Sequence, residues 1–182
     1  MSMTSSSNSA VATTDATKGG ATSTYKLWQK LSDVPVVGTH LFSAGYSLFA
    51  PYFATVLPHV REVQPGYAVV SAPKWWGVRN HIGTFHAIAG CNVAEAAMGV
   101  LCEASVPTSH RWVPKAMDVR YVTISKGGLT ATATADVPDF SSITPETGGQ
   151  DMPVTIALTD KRGVVVQEVT ITTWVTAKKP KK

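Results

Sequence analysis

The residues able to do chemistry gather between positions 80 and 95. Glu95 is the only acidic residue between Glu62 and Glu103, and it sits among Ala94, Ala96 and Ala97. A carboxylate in such a setting is costly to bury unless it is paired or used, and burial moves a carboxyl toward the range where a general base works. The functional reading makes Glu95 a base or nucleophile. The plainer reading is a glutamate that reaches solvent or an inter-subunit hydrogen bond. Upstream lie Asn80 and His86. As bare residues, a histidine here is structural and an asparagine before a helix is a cap or turn residue. A helix starting at this point directs the unclaimed N–H groups of its first turn, backed by the positive end of the helix dipole, at whatever lies before it. That makes the amide of Ala87 a candidate oxyanion donor. An activated carboxylate with an oxyanion donor is what attack on a carbonyl carbon requires.

The elements that must position these groups follow from pattern. Residues Gly83 to Glu103 are alanine-rich and free of proline, with Ser105 and Pro107 beyond them, which predicts a long helix. Phe85, Ile88, Val93, Val100 and Leu101 leave little polar face, so the helix is expected to be wrapped by other structure. Pro65-Gly66 sets a turn before a strand from Tyr67 toward Trp75-Trp76-Gly77. Four strand candidates follow the helix, at about 112–124, 129–137, 152–160 and 164–176. Met117, Val119 and Tyr121 alternate with Asp118 and Arg120, as in half-buried antiparallel strands. Lys126-Gly127-Gly128 and Asp160-Lys161-Arg162-Gly163 are hairpin turns, and Pro138 to Gln150 is a long connection. Residues 25–57 read as two or three short helices interrupted at Pro51, uncharged from Leu41 to Leu57 and suited to covering an apolar groove. Residues 1–24 are mostly Ser, Thr, Ala, Gly and Asn and read as a disordered tail; residues 178–182 form a basic tail. The expectation is α+β: one domain over 25–177, an antiparallel sheet wrapped around a long apolar helix, with a helical N-terminal extension.

The run Asn80-His81-Ile82-Gly83-Thr84-Phe85-His86, with Glu95 nine residues further on, resembles the active-site helix of hotdog-fold acyl-CoA thioesterases, particularly the phenylacetyl-CoA type. The similarity covers about residues 60–177, and one branch of that superfamily carries an extra helical N-terminus. The resemblance implies a hotdog fold and hydrolysis of an acyl thioester, with coenzyme A as part of the substrate and no separate cofactor. It implies catalytic roles for Glu95, Asn80, Ala87 and His86, and substrate contacts from Gly83 and Thr84. His86 would position the loop, and Asn80 would orient the water or hold the carbonyl. It also implies a homodimer or a dimer of dimers. Family members usually have His-Gly-Gly where this chain has His86-Ala87-Ile88. Ala87 keeps the N–H, while Ile88 narrows the pocket. A non-catalytic hotdog protein that binds acyl-CoA or an acyl chain is the alternative this departure favours.

Other classes are excluded on composition. Lys178, Lys179, Lys181 and Lys182 supply four of the sixteen basic residues, so the body carries twelve against twelve acidic ones. Such a body lacks the clustered charge of a nucleic-acid surface. Cys91 and Cys102 on one helix stand roughly 16 Å apart, too far for a disulfide, and both read as buried small apolar groups. His40, His59, His81 and His110 show no ligand spacing with cysteines or carboxylates, so no metal is expected. No run of eighteen apolar residues and no leader pattern occurs, so the expected compartment is cytoplasmic with no membrane span. A hotdog hydratase would need an Asp and a His in a proline-containing loop before the helix, and a DNA-binding regulator would need more basic residues over 25–57. From Ala87 to Glu95 the helix rises about 12 Å, so one thioester cannot easily meet both groups of one chain. A two-fold partner would bring its own Glu95 to them.

Overall fold

The computed structural model describes residues 20–179. Its centre is helix α3, Ala87–Ser105, whose buried side chains run almost all the way round it, including Val93, Met98, Leu101 and Cys102. An apolar helix of this kind can be stable only inside a wrapping of other elements, each large side chain contributing about 1.5–3 kcal/mol when removed from water. The wrapping is a six-stranded antiparallel sheet in the order β1-β2-β4-β5-β6-β3. Its strands are β1 (His59–Gln64), β2 (Tyr67–Ala72), β3 (His110–Tyr121), β4 (Leu129–Thr134), β5 (Gly149–Thr159) and β6 (Val165–Ala177). Alternation sets which face meets the helix: in β5, Met152, Val154, Ile156 and Leu158 are buried and the residues between them point outward. This is the hotdog arrangement. By length and composition α3 also has the apolarity of a membrane span, but most of it is covered by the protein, as a core helix is.

The N-terminal extension is helix α1 (Ser23–Ser32), helix α2 (Gly38–Phe49) and a 3-10 segment, Pro51–Val56. It completes the core with Trp28, Phe42, Tyr46 and Val56, stacked as Trp28 edge-on to Phe42 and Phe42 parallel to Tyr46. The outer side of α2 is not covered: Leu41, Leu48 and Phe49 are exposed. The ordered body begins earlier than composition indicated. Thr22 caps α1 through a hydrogen bond from the Tyr25 amide and donates to the carbonyl of Glu103, and Gly20 accepts from the Thr108 amide. Of the 24-residue tail, residues 1–19 lie outside the described residues, as do 180–182 of the basic tail.

Several element boundaries differ from the sequence reading. Strand β2 ends at Ala72, with Trp76–Val78 forming a 3-10 turn instead of its continuation, and β4 ends at Thr134. Three further differences have a local reason. The long helix begins at Ala87 instead of Gly83, because Gly83 has φ +75° and His86 is extended at the N-cap. Strand β1 was not expected. Its sequence HVREVQ is polar, which suits a sheet edge with one solvated face. Strand β5 starts at Gly149, where the long connection was expected to continue, because its pairing with β6 runs out to Thr176.

Cys102 is buried as expected, and burial pushes its thiol up to about 12. Cys91 is half-buried, a correction to the reading of both as buried, and its Sγ lies 3.7 Å from the Tyr121 hydroxyl at the end of the edge strand. Iodoacetamide near neutral pH is expected to modify Cys91 alone in the native protein and both cysteines in denaturant. Native labelling of Cys102, detected by peptide mass, would show that α3 is not enclosed as described.

Candidate active site

Asn80, Gly83, Thr84 and His86 fall in one loop that leads into α3. The Asn80 side chain closes it: its Oδ1 accepts from the Thr84 amide at 2.9 Å and its Nδ2 donates to Thr84 Oγ1 at 2.7 Å. The backbone reinforces this, with the Asn80 amide donating to the Thr84 carbonyl at 3.1 Å and the Gly83 amide to the Asn80 carbonyl at 3.0 Å. Gly83 is required by the positive φ of this turn. Thr84 is buried, with its amide and its hydroxyl oxygen both bonded to the Asn80 side chain, so it braces the loop. Asn80 keeps one N–H unclaimed among the described residues. The loop is tied to the sheet side by the Phe85 amide donating to Ser125 and the His86 amide to Val78.

His86 is the N-cap of α3. Its Nδ1 accepts from the Ile88 amide at 3.1 Å and its carbonyl accepts from the Gly90 amide. Two first-turn amides, those of Ala87 and Ala89, donate to no acceptor among the described residues. They sit at the positive end of a nineteen-residue helix. The Ala87 carbonyl is held from the other side by Gln167 of β6, whose Nε2 donates to it at 2.9 Å. This contact fixes the plane of the first turn.

Glu95 lies two turns along. Cys91, Glu95 and Gly99 form one stripe of α3 at four-residue steps. The stripe runs between β3 and α2: Cys91 meets Tyr121 of β3, while a Cβ at Gly99 would collide with the Tyr46 hydroxyl of α2 and lie 3.8 Å from the Trp112 ring. Glu95 is half-buried, and its carboxylate has no hydrogen bond or ion pair among the described residues. Its charge is among those that, after burial, push the Tyr46 hydroxyl of α2 up, so it lies near α2 as well as β3. Within one chain the Ala87 amide and the Glu95 carboxylate are not brought together, the helix rise between them being about 12 Å.

A cleft of about 250 Å³ adjoins the helix start, lined by Tyr52 and Thr55 of the 3-10 segment, Gly77 and Arg79, and His86, Ile88 and Asn92. Ile88, expected to narrow the pocket, is exposed at its rim. Two residues here, Asn92 and Gln167, escaped the sequence reading, and a third, Arg79, flanks the site in sequence but is left out of it by that reading. Asn92 is buried and donates from Nδ2 to the Tyr52 carbonyl and to Thr55 Oγ1, fastening the extension to the helix, while its Oδ1 is buried without a partner. An amide in an otherwise apolar helix was the available signal. Gln167 carried none, since its role depends on the register of β6. Arg79 reads from sequence as an ordinary surface cation, yet it lines the cleft. Among the described residues no cluster of His, Cys, Asp or Glu could hold a metal.

The family described as "domain of unknown function (DUF4442)" matches residues 38–175. The chain belongs to this family. A structural-genomics crystal structure shares 35% identity, covering 85% of this chain and 99% of its own, with a TM-score of 0.71. A Pseudomonas aeruginosa protein of unknown function, named a probable thioesterase, is 24% identical over 77% of this chain and 96% of its own, with a TM-score of 0.68. A Staphylococcus aureus thioesterase variant is similar at 16% identity, over 69% of this chain and 98% of its own, with a TM-score of 0.58. None of the curated proteins compared with the chain matches it. DUF4442 membership begins within α2 and so takes in the 3-10 segment that Asn92 fastens.

The first turn yields a direct test. A Cβ at Gly90 would collide with the Gln167 side-chain amide, which is buried and has no room to retreat. Gly90→Ala gains about 1 kcal/mol of helix propensity but pays overpacking of about 1–3 kcal/mol and a lost hydrogen bond of about 1 kcal/mol. The expected net loss is about 1–3 kcal/mol in denaturant unfolding. An unchanged or raised midpoint would show that Gln167 does not hold the helix start.

Proposed function

We propose that the protein is an acyl-CoA thioesterase whose site is completed across a two-fold pair. The observation that carries this reading is the pair of unclaimed groups on α3. Among the described residues, the Ala87 amide is a donor without an acceptor at the positive helix end, and the half-buried Glu95 carboxylate is an acceptor without a donor. Thioester hydrolysis needs both: a base for the attacking water and a donor for the oxyanion. The probable-thioesterase name of the Pseudomonas protein supports the reaction class.

Glu95 takes a proton as water adds to the thioester carbonyl carbon. The carbonyl oxygen becomes an oxyanion held by the Ala87 N–H, with Asn80 offering its free N–H nearby. Collapse of the tetrahedral species breaks the C–S bond, the proton passes from Glu95 to the leaving sulfur, and the products are a carboxylic acid and the coenzyme A thiol. His86 serves by capping the helix, which aims the first-turn amides. The cleft beside Ile88 and Tyr52 receives an apolar part of the substrate.

The separation of Ala87 from Glu95 makes the second copy necessary. Strand β3 offers the contact, being a twelve-residue edge strand with Val113, Met117 and Tyr121 exposed, followed by exposed Val122 and Ile124. Long exposed apolar edges pair with other chains. Isologous pairing of β3 would lay each Glu95 stripe toward the partner's helix start and give two equivalent sites.

Glu95→Gln preserves the shape of the side chain and removes the base. Against a panel of acyl-CoA lengths, the wild type is expected to release thiol, and the variant to fold normally and turn over at least about a hundredfold slower. A normal rate in the variant would remove Glu95 from the mechanism. Acyl-CoA binding by the wild type without thiol release from any substrate would favour a non-catalytic acyl-CoA binding protein, the reading suggested by Ala87-Ile88 in place of two glycines.

A further inference from the structure

A second cavity, of about 650 Å³, lies between α2, β1 and the ends of β2 and β4, and shares no residue with the cleft at the helix start. Ala44, Leu57 and Leu129 contribute apolar wall. Its polar wall is of one sign: His40 from α2, His59 and Arg61 from β1, and Lys161 from the turn between β5 and β6, with no carboxylate among the lining residues. Arg61 and Lys161 form no ion pair among the described residues. Arg61 donates from Nε to Ser71 Oγ at 2.9 Å, which fixes the guanidinium and leaves its terminal N–H groups free. The imidazoles are also held: the His40 and His59 rings stack at 4.0 Å with an interplanar angle of 16°, and His59 Nε2 lies 3.0 Å from Thr39 Oγ1. The hydroxyl of Ser43, buried behind them, joins α2 to β1 by accepting from the Val60 amide.

Positive groups converging on a partly apolar concavity, with no acid among them, raise the local potential and select an anion. We infer that this cavity binds an amphiphilic anion, with a carboxylate or phosphate head among Arg61, Lys161 and the stacked imidazoles and an apolar segment along Leu57, Ala44 and Leu129. The inference stands independently of the thioesterase reading.

Linkage sharpens it. Burial first, then the neighbouring His40 and Arg61, hold His59 below the usual imidazole range. The charged or titratable groups facing His59 are His40 from α2, Arg61 from its own strand and Lys161 across the cavity. A bound anion opposes these effects and favours protonated His59. Binding therefore takes up a proton and tightens as pH falls from about 8 to about 6.

The test is calorimetric titration with octanoate, octanol and inorganic phosphate, with the histidine ring resonances followed by NMR. Octanoate is expected to bind, to shift the His40 and His59 resonances, and to bind more tightly at the lower pH. Octanol and phosphate are expected to bind at least about tenfold more weakly. The double variant Arg61→Ala, Lys161→Ala, at two exposed positions, is expected to weaken octanoate binding at least about tenfold with an unchanged melting temperature. Equal binding of octanol would show a merely apolar groove, and equal binding of phosphate a merely adventitious anion. Octanoate binding that leaves His59 unmoved, or that survives the double substitution, would place the ligand elsewhere. Each of these outcomes, like an absence of octanoate binding, overturns the proposal. If the double variant fails to fold, the His59 shift in the wild type decides between them.

Discussion

Covering α3 is the constraint on which the rest of the structure depends. A helix with Val93, Met98, Leu101 and Cys102 distributed around it has no face to give to water, so the sheet must curl, and α1, α2 and the 3-10 segment must close what the sheet leaves open. The enclosure is complete over the C-terminal part of the helix and incomplete at two places. One is the first turn, where two amides remain unclaimed among the described residues; the other is the stripe through Cys91 and Glu95, where both residues are only half-buried between the edge strand and α2. In the proposed mechanism both gaps are used. The polar groups a single chain cannot satisfy are the ones that would meet substrate and partner.

Much of this was legible in the sequence because it followed from period and composition. The alternation of Met117, Val119 and Tyr121, the alanine-rich stretch after His86, and the turns at Lys126-Gly127-Gly128 and Asp160–Gly163 each encode an element locally. The start of α3 was placed four residues early because Gly83 and Thr84 continue an apolar pattern. Only the hydrogen bonds between Asn80 and Thr84 show that the chain turns there first. Strand β1 was missed because HVREVQ has little apolar content, its pairing being set by β2 across the Pro65-Gly66 turn. In the candidate site, Glu95 and the Ala87 amide followed from residue type and place on the helix, whereas site roles for Asn80 and His86 rest on the family resemblance of the run they belong to. Gln167 and Asn92 could not be named from either, since they reach the site through tertiary contacts to Ala87, Tyr52 and Thr55.

The N-terminal extension does more than cover. Asn92 holds the 3-10 segment against the helix within the cleft, while the other side of that segment, through Ala54 and Leu57, walls the cationic cavity. One short element thus separates two concavities of different character. The cleft is bounded by the helix start; the cavity is bounded by two histidines, Arg61 and Lys161. This explains why residues 41–57 are uncharged although several of their side chains are exposed: the segment packs inward through Phe42, Tyr46 and Val56 and lines open space on its flanks.

The central claim is that one chain's helix start works with another chain's Glu95, and subunit mixing tests it most directly. Proline at the first helical position keeps the helix and deletes only the N–H, and the extended backbone of His86 suits a following proline. Ala87→Pro therefore removes the oxyanion donor as cleanly as Glu95→Gln removes the base. Each variant alone is expected to be nearly inactive. After exchange of equal amounts about half the dimers are mixed, each with one intact site and one doubly damaged site, so activity should return to about a quarter of wild type. No recovery despite demonstrated exchange, or a strictly monomeric active protein, would contradict the account.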